Sequence, residues 1–450
     1  MKYPRYTAYK DIGIEWIGEI PVSWKIIKLK YVIDNFVGGG TPTTGVADYW
    51  TTEENGVPWV SISDMTGTEV IRDTERKITI SGLKSKNLTL LSPGTVVYSI
   101  YASVGKVSKL FISATTNQAV LGLVNSEHLV LNDYLKLSLE SFEPFVGYLF
   151  SSNTQNNINE EKVKNIVIPL TDRTNQAAII RFLFIRSALI DNLISKTLKI
   201  IELLKEKRQA IITHAVTKGL DPNVPMKDSG VEWIGEIPEH WNVQKLKRSF
   251  QVLNGSTPRS DNQLYWDGNI IWVTPEDLSL TVGPFIYESS RHITPEGYHS
   301  CGTNLVPKGS IIVSTRAPIG YVKIARVELC TNQGCRSLVK KTVSDEKYFF
   351  YFFSCFAGVL NSFGQGSTFV ELSSEKLKMF QATIPPIGEQ ISLTRFLDYE
   401  TSKIDSLIAK NLKLIDLLKE YKTSLITQAV TGKIDVISFA VPADSNSTEA

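Results

Sequence analysis

The heptapeptide Glu-Trp-Ile-Gly-Glu-Ile-Pro occurs twice in this chain, at residues 15–21 and again at residues 232–238. The agreement continues downstream, since Trp24 matches Trp241 at the same offset of 217 positions (232 − 15). Solenoid repeats have periods of about 20–50 residues, so this repeat is of another kind. The sequence predicts two copies of one whole domain. Two similar domains on one chain can each recognise one of two similar targets that lie at a fixed distance from each other.

The two copies agree in short islands and differ between them. Thr-Asn-Gln recurs at 116–118 and 331–333, whereas Ser-Ile-Tyr-Ala-Ser-Val-Gly at 99–105 stands opposite Ser-Thr-Arg-Ala-Pro-Ile-Gly at 314–320. This pattern predicts one scaffold that carries two different surfaces.

Length and composition favour two soluble domains plus connectors. The chain has 450 residues, of which 42% are hydrophobic and 21% charged, with a net charge of +2. It has no run of about 18 apolar residues and no signal-peptide pattern at its start, so we expect a cytoplasmic protein without a membrane span. A non-specific nucleic-acid coat would be far more basic. If the chain binds DNA, base readout and partner surfaces must supplement its phosphate contacts.

The four cysteines, at 301, 330, 335 and 355, all lie in the second copy. A metal site essential to the fold should occur in both copies, and the spacing matches no common zinc pattern. We interpret these cysteines as reduced thiols.

Each copy ends in a long stretch with a helical pattern. Residues 174–216 and 388–430 contain no proline, and apolar residues recur at alternating spacings of three and four. The predicted heptad seam is Ile190, Leu193, Thr197, Ile200, Leu204, Lys207 and Ile211 in the first stretch, and Ile404, Leu407, Asn411, Leu414, Leu418, Tyr421 and Leu425 in the second.

A second apolar stripe lies beside each predicted seam and favours further partner helices. We therefore expect a partner-binding surface at Ile194, Leu198, Ile201, Ile408, Leu412 and Ile415. The alternative is that both stretches are core helices of their own domains. At about 65 Å for 43 residues, however, each helix would be longer than such a domain is wide.

The predicted fold class is α+β, with two similar mixed α/β domains in tandem. Each is followed by a long helix, and the order globule–helix–globule–helix makes an antiparallel coiled coil natural. The predicted boundaries are 1–170 for the first domain, 171–217 for its helix, 218–386 for the second domain, 387–432 for its helix and 433–450 for a flexible tail.

Common catalytic signatures are missing from the sequence. It contains no G-x-x-x-x-G-K-[ST] phosphate loop, no H-E-x-x-H and no G-x-S-x-G. Asp64 with Glu75-Arg76-Lys77 faintly resembles the carboxylate arrangement of metal-dependent nucleases, but the second copy has Ser290 in place of Glu75. Exposed carboxylates on turns are usually solvated, so a Mg-dependent nuclease remains a minor alternative.

These motifs together resemble the specificity subunit of type I restriction–modification enzymes. The resemblance rests on the repeated E-W-I-G-E-I-P-x-x-W opening, the two Thr-Asn-Gln segments and the turn at 316–320. It also rests on the helix entry Ile384, Pro385, Glu389, Gln390, Phe396 and Leu397. The first copy departs from the pattern, since 102–105 lacks the arginine found at 316 and Thr171-Asp-Arg173 replaces Pro-Ile-Gly.

The resemblance implies a non-catalytic DNA-recognition subunit. Each domain would be a target recognition domain that reads one half of a bipartite site in double-stranded DNA. The helices would dock two modification (methyltransferase) subunits, and restriction/translocase subunits would complete the assembly. S-adenosylmethionine, ATP and Mg²⁺ would belong to those partners, with no cofactor in this chain. A structural scaffold that bridges two partners without reading DNA is the other alternative.

Candidate DNA contacts lie on loops rich in hydrogen-bonding side chains. These reading loops are 41–45, 61–66 and 98–106 in the first domain, and 257–262, 274–278 and 314–320 in the second. Arg suits guanine, Asn and Gln suit adenine, and Ser or Thr suit either base. Residues common to both copies are better explained as scaffold or phosphate contacts. The candidates are Thr43, Thr44, Ser63, Tyr101, Ser103, Lys106, Asn117, Gln118, Arg259, Thr274, Glu276, Arg316, Asn332 and Gln333.

Overall fold

A computed structural model describes residues 3–149, 157–316, 318–364 and 371–437. The chain divides into two compact units. The first unit comprises residues 1–197 and 413–450, and the second unit comprises residues 198–412. Each unit thus contains one globular domain, the beginning of the long helix that follows it and the end of the other long helix.

The first domain is built on a mostly antiparallel five-stranded sheet and a smaller four-stranded sheet. In spatial order, the larger sheet has Asn35–Gly38, Val120–Val124, Val96–Ser99, Val107–Leu110 and Val70–Ile71; the smaller has Thr115–Thr116, Val57–Val60, Arg76–Ile78 and Trp50–Thr51. Strand pairs join Tyr9–Asp11 to Glu19–Pro21 and Lys25–Lys28 to Val167–Leu170. The α-helices of the domain are Ile62–Met65, Ile80–Ser85, Asn132–Phe142 and Glu160–Lys164.

The second domain repeats this topology, with one strand fewer in its smaller sheet. The five-stranded sheet has Phe250–Asn254, Cys335–Lys340, Ile311–Ser314, Val322–Ala325 and Phe285–Ile286; the smaller has His292–Ile293, Trp266–Val273 and Cys330–Thr331. Strand pairs join Met226–Asp228 to Glu236–Pro238 and Asn242–Lys245 to Gln381–Ile384. The α-helices are Leu246–Ser249, Pro275–Leu280, Pro295–His299, Glu346–Cys355, Ala357–Ser362 and Ser374–Met379.

The repeated heptapeptide forms a tight turn followed by a short strand in each domain. The turn contains Gly18 in the first domain and Gly235 in the second, whose φ angles of +64° and +70° lie in the left-handed region. Side chains other than glycine rarely adopt this conformation, which explains the glycine in both copies. Trp16 packs edge-on against Phe142 and is buried in the core, and the partly buried Trp233 stacks on Phe380 against the core of the second unit.

The two long helices run from Arg173 to Lys218 and from Ile387 to Val430. In the second unit, Arg208 bonds to Asp405 while Gly219, just beyond the first helix, lies beside Glu389 near the start of the second. Residue numbers therefore rise on one helix as they fall on the other. The predicted antiparallel helix pair is confirmed.

The same antiparallel arrangement is found inside the first unit. Asp191 pairs with Lys422 at 2.9 Å. The hydroxyl of the buried Tyr134 lies 3.2 Å from the carbonyl oxygens of Pro169, just before the first helix, and of Val430, at the end of the second. Tyr348 makes the matching bonds in the second unit, to the carbonyls of Val216 and Thr383. A tyrosine in each domain thus fastens the end of the helix that arrives from the other copy.

A buried glutamine fixes the start of each long helix to its domain. Gln390 accepts a hydrogen bond from the Asp345 amide and donates to the Pro385 carbonyl. Gln176 makes equivalent bonds, to the Leu131 amide and the Thr171 carbonyl. The first copy therefore keeps this device although its entry sequence differs.

The predicted tail begins later than expected. Ile434 and Val436 are buried in the core of the first unit, and the Asp435 amide donates to the Pro4 carbonyl. Residues 433–437 therefore belong to the folded unit, because two apolar side chains and a backbone bond hold them there. The remainder of the predicted flexible tail, 438–450, lies outside the described residues.

Candidate nucleic-acid interface

The Thr-Asn-Gln segment is where the three reading loops of each domain meet. In the first domain, the Asn117 amide donates to the Val60 carbonyl, next to loop 61–66. The Gly40 amide, beside loop 41–45, donates to the Thr116 carbonyl, and the Ile100 amide, in loop 98–106, donates to the Ala119 carbonyl. The second domain repeats all three bonds, with donors Asn332, Ser256 and Thr315 and acceptors Val273, Thr331 and Gly334.

The asparagine and glutamine side chains of this segment form hydrogen bonds to the protein itself in both domains. Asn117 Oδ1 accepts from the Ala119 amide at 3.0 Å, and Asn332 Oδ1 accepts from the Gly334 amide at 2.9 Å. The hydroxyl of Thr41 donates to Gln118, and that of Thr257 donates to Gln333. Because Asn117, Gln118, Asn332 and Gln333 hold the loops by these bonds, their placement favours the scaffold role over base readout.

A tryptophan pair with an arginine anchors the first reading loop of each domain. In the first domain, Trp59 Nε1 donates to the Gly40 carbonyl at 2.9 Å and Trp50 Nε1 donates to the Thr43 carbonyl at 3.3 Å. The guanidinium of Arg76 lies 3.8 Å from the centre of the Trp50 ring, a cation–π contact. Thr43 and Thr44 are exposed beyond this anchor.

The second domain has the same anchor under a different loop tip. Trp272 donates to the Ser256 carbonyl and Trp266 to the Arg259 carbonyl, while Arg291 covers the Trp266 ring at 3.6 Å. The Arg259 side chain is exposed and pairs with Asp261 at 2.8 Å. Sequence reasoning missed Arg76 and Arg291, although each occupies the same position in its own copy.

The second reading loop, which the structure folds into the short helices Ile62–Met65 and Pro275–Leu280, is closed by an aspartate in each domain. Asp64 accepts from the Ser61 amide and hydroxyl and from the Glu75 amide, at 2.7–2.8 Å. A carboxylate engaged in this way is structural, which weakens the nuclease hypothesis for Asp64 and Glu75. Ser63 is exposed, with its hydroxyl 2.7 Å from that of Ser61.

Asp277 closes the second reading loop of the second domain in the same way. It accepts from the Thr274 amide and hydroxyl and from the Ser290 amide. Burial raises the pKa of Asp277, but hydrogen bonds from Ser290 and Thr274 outweigh burial and hold that pKa below its ordinary value. Thr274 is therefore a helix N-cap, and its hydroxyl is already engaged, whereas Glu276 is exposed.

The third reading loop is a tight turn held by a serine. Ser99 accepts from the Lys106 amide, as Ser314 does from the Tyr321 amide. Tyr101 and Ser103 are exposed. Lys106 forms an ion pair with Glu143 at 2.5 Å, so its ammonium already has a partner. Arg316 occupies the position of Tyr101 and pairs with Glu371.

The helix faces differ from the predicted ones. Ile201 and Ile415, expected on the partner surface, are only 3% and 5% exposed, while Leu198 and Leu412 are about half exposed, at 50% and 49%. The observed seam combines buried with half-buried side chains: Ile190, Ile194, Thr197, Ile201, Leu204, Arg208 and Ile211 on the first helix, and Ile404, Ile408, Asn411, Ile415, Leu418, Lys422 and Leu425 on the second.

The predicted partner residues Ile194, Ile201, Ile408 and Ile415 were therefore assigned to the wrong face. Every second position of the predicted seam is also a position of the observed seam. At each of the other positions the observed residue is the next one along the chain, for example Ile194 instead of Leu193. Two heptad ladders that overlap in this way cannot be separated by spacing alone. The exposed apolar side chains on the helices include Leu193, Leu198, Ile200, Leu203, Leu407, Leu412, Leu414 and Leu417.

The described residues contain neither a membrane-spanning helix nor a cluster of metal-ligating side chains. No helix among them is long and apolar enough to cross a bilayer. No group of three or more His, Cys, Asp or Glu side chains within the described ranges is arranged to hold a metal ion.

Comparison with known proteins identifies the class. The family described as "Type I restriction modification DNA specificity domain" matches twice, over residues 21–203 and 238–415. Together the two matches cover most of the chain, which therefore belongs to this family and carries two copies of its domain.

Individual relatives agree with this assignment. The type I restriction enzyme MjaIX specificity subunit of Methanocaldococcus jannaschii is 36% identical over 194 residues, which is 43% of this chain and 44% of that protein. The putative type I restriction enzyme MjaX specificity subunit of the same organism is 24% identical over 438 residues, covering 93% of this chain and 96% of the relative.

Two solved structures share the fold. One is a chain from the structure described as "Structural basis underlying complex assembly and conformational transition of the type I R-M system". It aligns with a TM-score of 0.70 and 14% identity, over 91% of this chain and 98% of that one. The HsdS subunit from Thermoanaerobacter tengcongensis aligns with a TM-score of 0.53 and 14% identity, over 92% and 98%.

Proposed function

We propose that this chain is the non-catalytic DNA-reading subunit of a type I restriction–modification complex, and that each domain reads one half of a bipartite target. The observation that carries this proposal is a common loop scaffold with different loop tips. At equivalent positions of the two copies, the first domain has Thr43 where the second has Arg259, and Tyr101 where the second has Arg316. Side chains that differ on one backbone frame are suited to discriminating different base pairs, since sequence is read through base edges.

The long helices would dock the modification subunits through the side chains that the seam leaves exposed. Leu193, Ile200 and Leu203 on the first helix occupy the same heptad positions as Leu407, Leu414 and Leu417 on the second. Exposed apolar side chains at helical spacing are typical of a face that accepts another helix. Because the face occurs twice, it would take two copies of one partner.

The remaining parts of the reaction would belong to other subunits. The modification subunits would supply S-adenosylmethionine for adenine methylation, and restriction/translocase subunits would supply ATP-driven cleavage with Mg²⁺. A cytoplasmic location would give the complex access to the genome. This chain would contribute base readout and geometry, and its candidate nuclease carboxylate Asp64 is occupied by backbone and hydroxyl donors.

Methylome sequencing of the host with and without the gene tests this proposal. We expect one adenine-methylated motif, made of two specified halves separated by unspecified base pairs, to disappear when the gene is deleted. An unchanged methylome in a host that expresses the modification subunit would contradict the proposal. Binding of the modification subunit without any effect on the methylome would favour the scaffold alternative.

A further inference from the structure

A charged cluster in the second domain connects the third reading loop with the strand that follows the Thr-Asn-Gln segment. Arg316 Nε donates to Oε2 of Glu371 at 3.0 Å, and Arg336 Nη2 donates to Oε1 of the same carboxylate at 3.2 Å. The backbones of Arg316 and Glu371 also form an antiparallel bridge. This bridge holds the Cα atoms of Arg316 and Glu371 close to each other, so their side chains extend from neighbouring points of the backbone.

Arg336 anchors the cluster to the scaffold. Only 10% of its side chain is exposed, and its Nη1 donates to the carbonyls of Gln333 and Cys335 at 2.7 and 2.9 Å. Arg336 thus fixes Glu371, and Glu371 fixes Arg316. One carboxylate shared by two guanidinium groups leaves the cluster with a net positive charge.

Arg316 is the outward-facing member of this cluster. Its side chain is 45% exposed. Within the part of the chain that the structure describes, its Nη1 and Nη2 atoms have no hydrogen-bond partner. A guanidinium that is already oriented presents its free N–H groups as a pair, which matches a ligand with two neighbouring acceptors.

Among its described residues, the first domain has no such cluster on the same scaffold. Tyr101 stands at the position of Arg316, the buried Leu121 at that of Arg336, and Asn157 at that of Glu371. The neighbouring backbone is nevertheless alike: the Ile158 amide donates to the Ile100 carbonyl, as the Leu372 amide does to Thr315. The difference is one of side chains.

We propose that Arg316 contacts duplex DNA through two parallel hydrogen bonds, that Glu371 and Arg336 position it, and that the first domain lacks this contact. The acceptor pair is either the O6 and N7 atoms of guanine or two phosphate oxygens, since both present the same bidentate geometry. This inference rests on the proposed function and assigns one of its contacts to one domain.

The test uses the chain assembled with its modification subunits and measures dissociation constants for duplexes. The duplexes carry the methylated motif, all its single-base substitutions, or a random sequence, at several salt concentrations. The variants are R316A, R316K, E371Q and the R316A/E371Q pair. R248A is the matched control, because Arg248 is an exposed arginine of the same unit whose removal changes the net charge equally.

We expect R316A and R316K to weaken binding to the motif by about tenfold, since lysine cannot make the bidentate contact. R248A should match the wild type. If guanine is the acceptor, the loss disappears on duplexes that lack one particular G·C pair. If phosphate is the acceptor, the loss is equal on every duplex, and the slope of log K against log salt falls by about one.

The positioning role is tested by the double variant. E371Q should weaken binding less than R316A, and adding it to R316A should change nothing further, because the two residues act as a unit. Wild-type affinity of R316A, full rescue by R316K, or additive losses in the double variant would overturn the inference. A wild-type complex without preference for any motif would instead overturn the proposed function.

Discussion

Gly39 and Gly255 lie at the closest approach between a reading loop and its scaffold. A Cβ atom added at Gly39 would lie 2.2 Å from the Asn117 carbonyl oxygen, and one at Gly255 would lie 2.0 Å from that of Asn332. Both acceptors are backbone atoms of the Thr-Asn-Gln segment, so they cannot move aside as a flexible side chain would. The repeated glycine is therefore explained by contact distance.

We predict that Gly39→Ala destabilises the chain by about 1–3 kcal/mol through overpacking and displaces loop 41–45. The neighbouring Gly38→Ala is the matched control, because a Cβ atom there meets nothing within 4 Å. Thermal unfolding of both variants checks this. Equal melting temperatures would show that the loop adapts to the added methyl group.

Asp277 gives the second loop a pH dependence whose sign follows from its hydrogen bonds. Its pKa in the folded chain is held below the ordinary value, so its contribution to stability is complete above about pH 5 and is lost as the pH falls below about 4. Asp277→Asn should lower the melting temperature at pH 7 and make it less sensitive to acid. An acid-unfolding curve parallel to that of the wild type would contradict this account.

At the scale of elements, the helix pair and the reading loops differ in how far the sequence determines them. The helices and their antiparallel order follow from apolar spacing and from the order of segments. The predicted seam differed from the observed one, because Leu193 and Ile194 each lie at a heptad spacing from Thr197 and the spacing alone does not choose between them. Charge complementarity could have decided between the two ladders, since Asp191 meets Lys422 and Arg208 meets Asp405.

The reading loops could be located from the sequence, but the state of their side chains could not. Offsets between the copies identified the loops and separated common residues such as Gln118 from variable ones such as Arg259. Whether a polar side chain is already engaged depends on contacts distant in sequence. Lys106 pairs with Glu143 and Arg316 with Glu371, and no local pattern signals either pair.

Two neighbouring apolar residues on each helix, one buried and one exposed, allow folding to be tested separately from docking. Ile201→Asp and Ile415→Asp place carboxylates in the buried seam and should destabilise the chain alone by several kcal/mol, about 3–5. Ile200→Asp and Leu414→Asp change exposed positions and should leave the chain folded while weakening assembly. Circular dichroism of the chain and size-exclusion chromatography with the modification subunit distinguish these outcomes.

If Ile200→Asp and Leu414→Asp together leave an intact complex at the wild-type elution volume, the exposed apolar side chains of the long helices do not bind the partner. If they unfold the isolated chain, the assignment of the seam is wrong.

At the scale of the whole molecule, the unit boundaries fall within the long helices, at 197/198 and 412/413. Insertion of seven residues after Lys199 and after Lys413 keeps the heptad phase and lengthens each helix by about 10 Å. If the helices set the distance between half-sites, the preferred spacer should grow by about three base pairs, at 3.4 Å each, with both halves unchanged. Modification at the original spacing by a folded, assembled variant would show that the helices do not set it.

If each domain reads its half-site independently, exchange of one domain should change one half of the target and leave the other as it was. Residues 220–385 are replaced by the second domain of a relative with a known target, and the methylome of a host carrying the chimera is sequenced. We predict a bipartite motif in which one half is that of the wild type, the other half is that of the donor, and the spacer is unchanged. A methylome in which both halves change, or in which neither does, would contradict independent reading by the two domains.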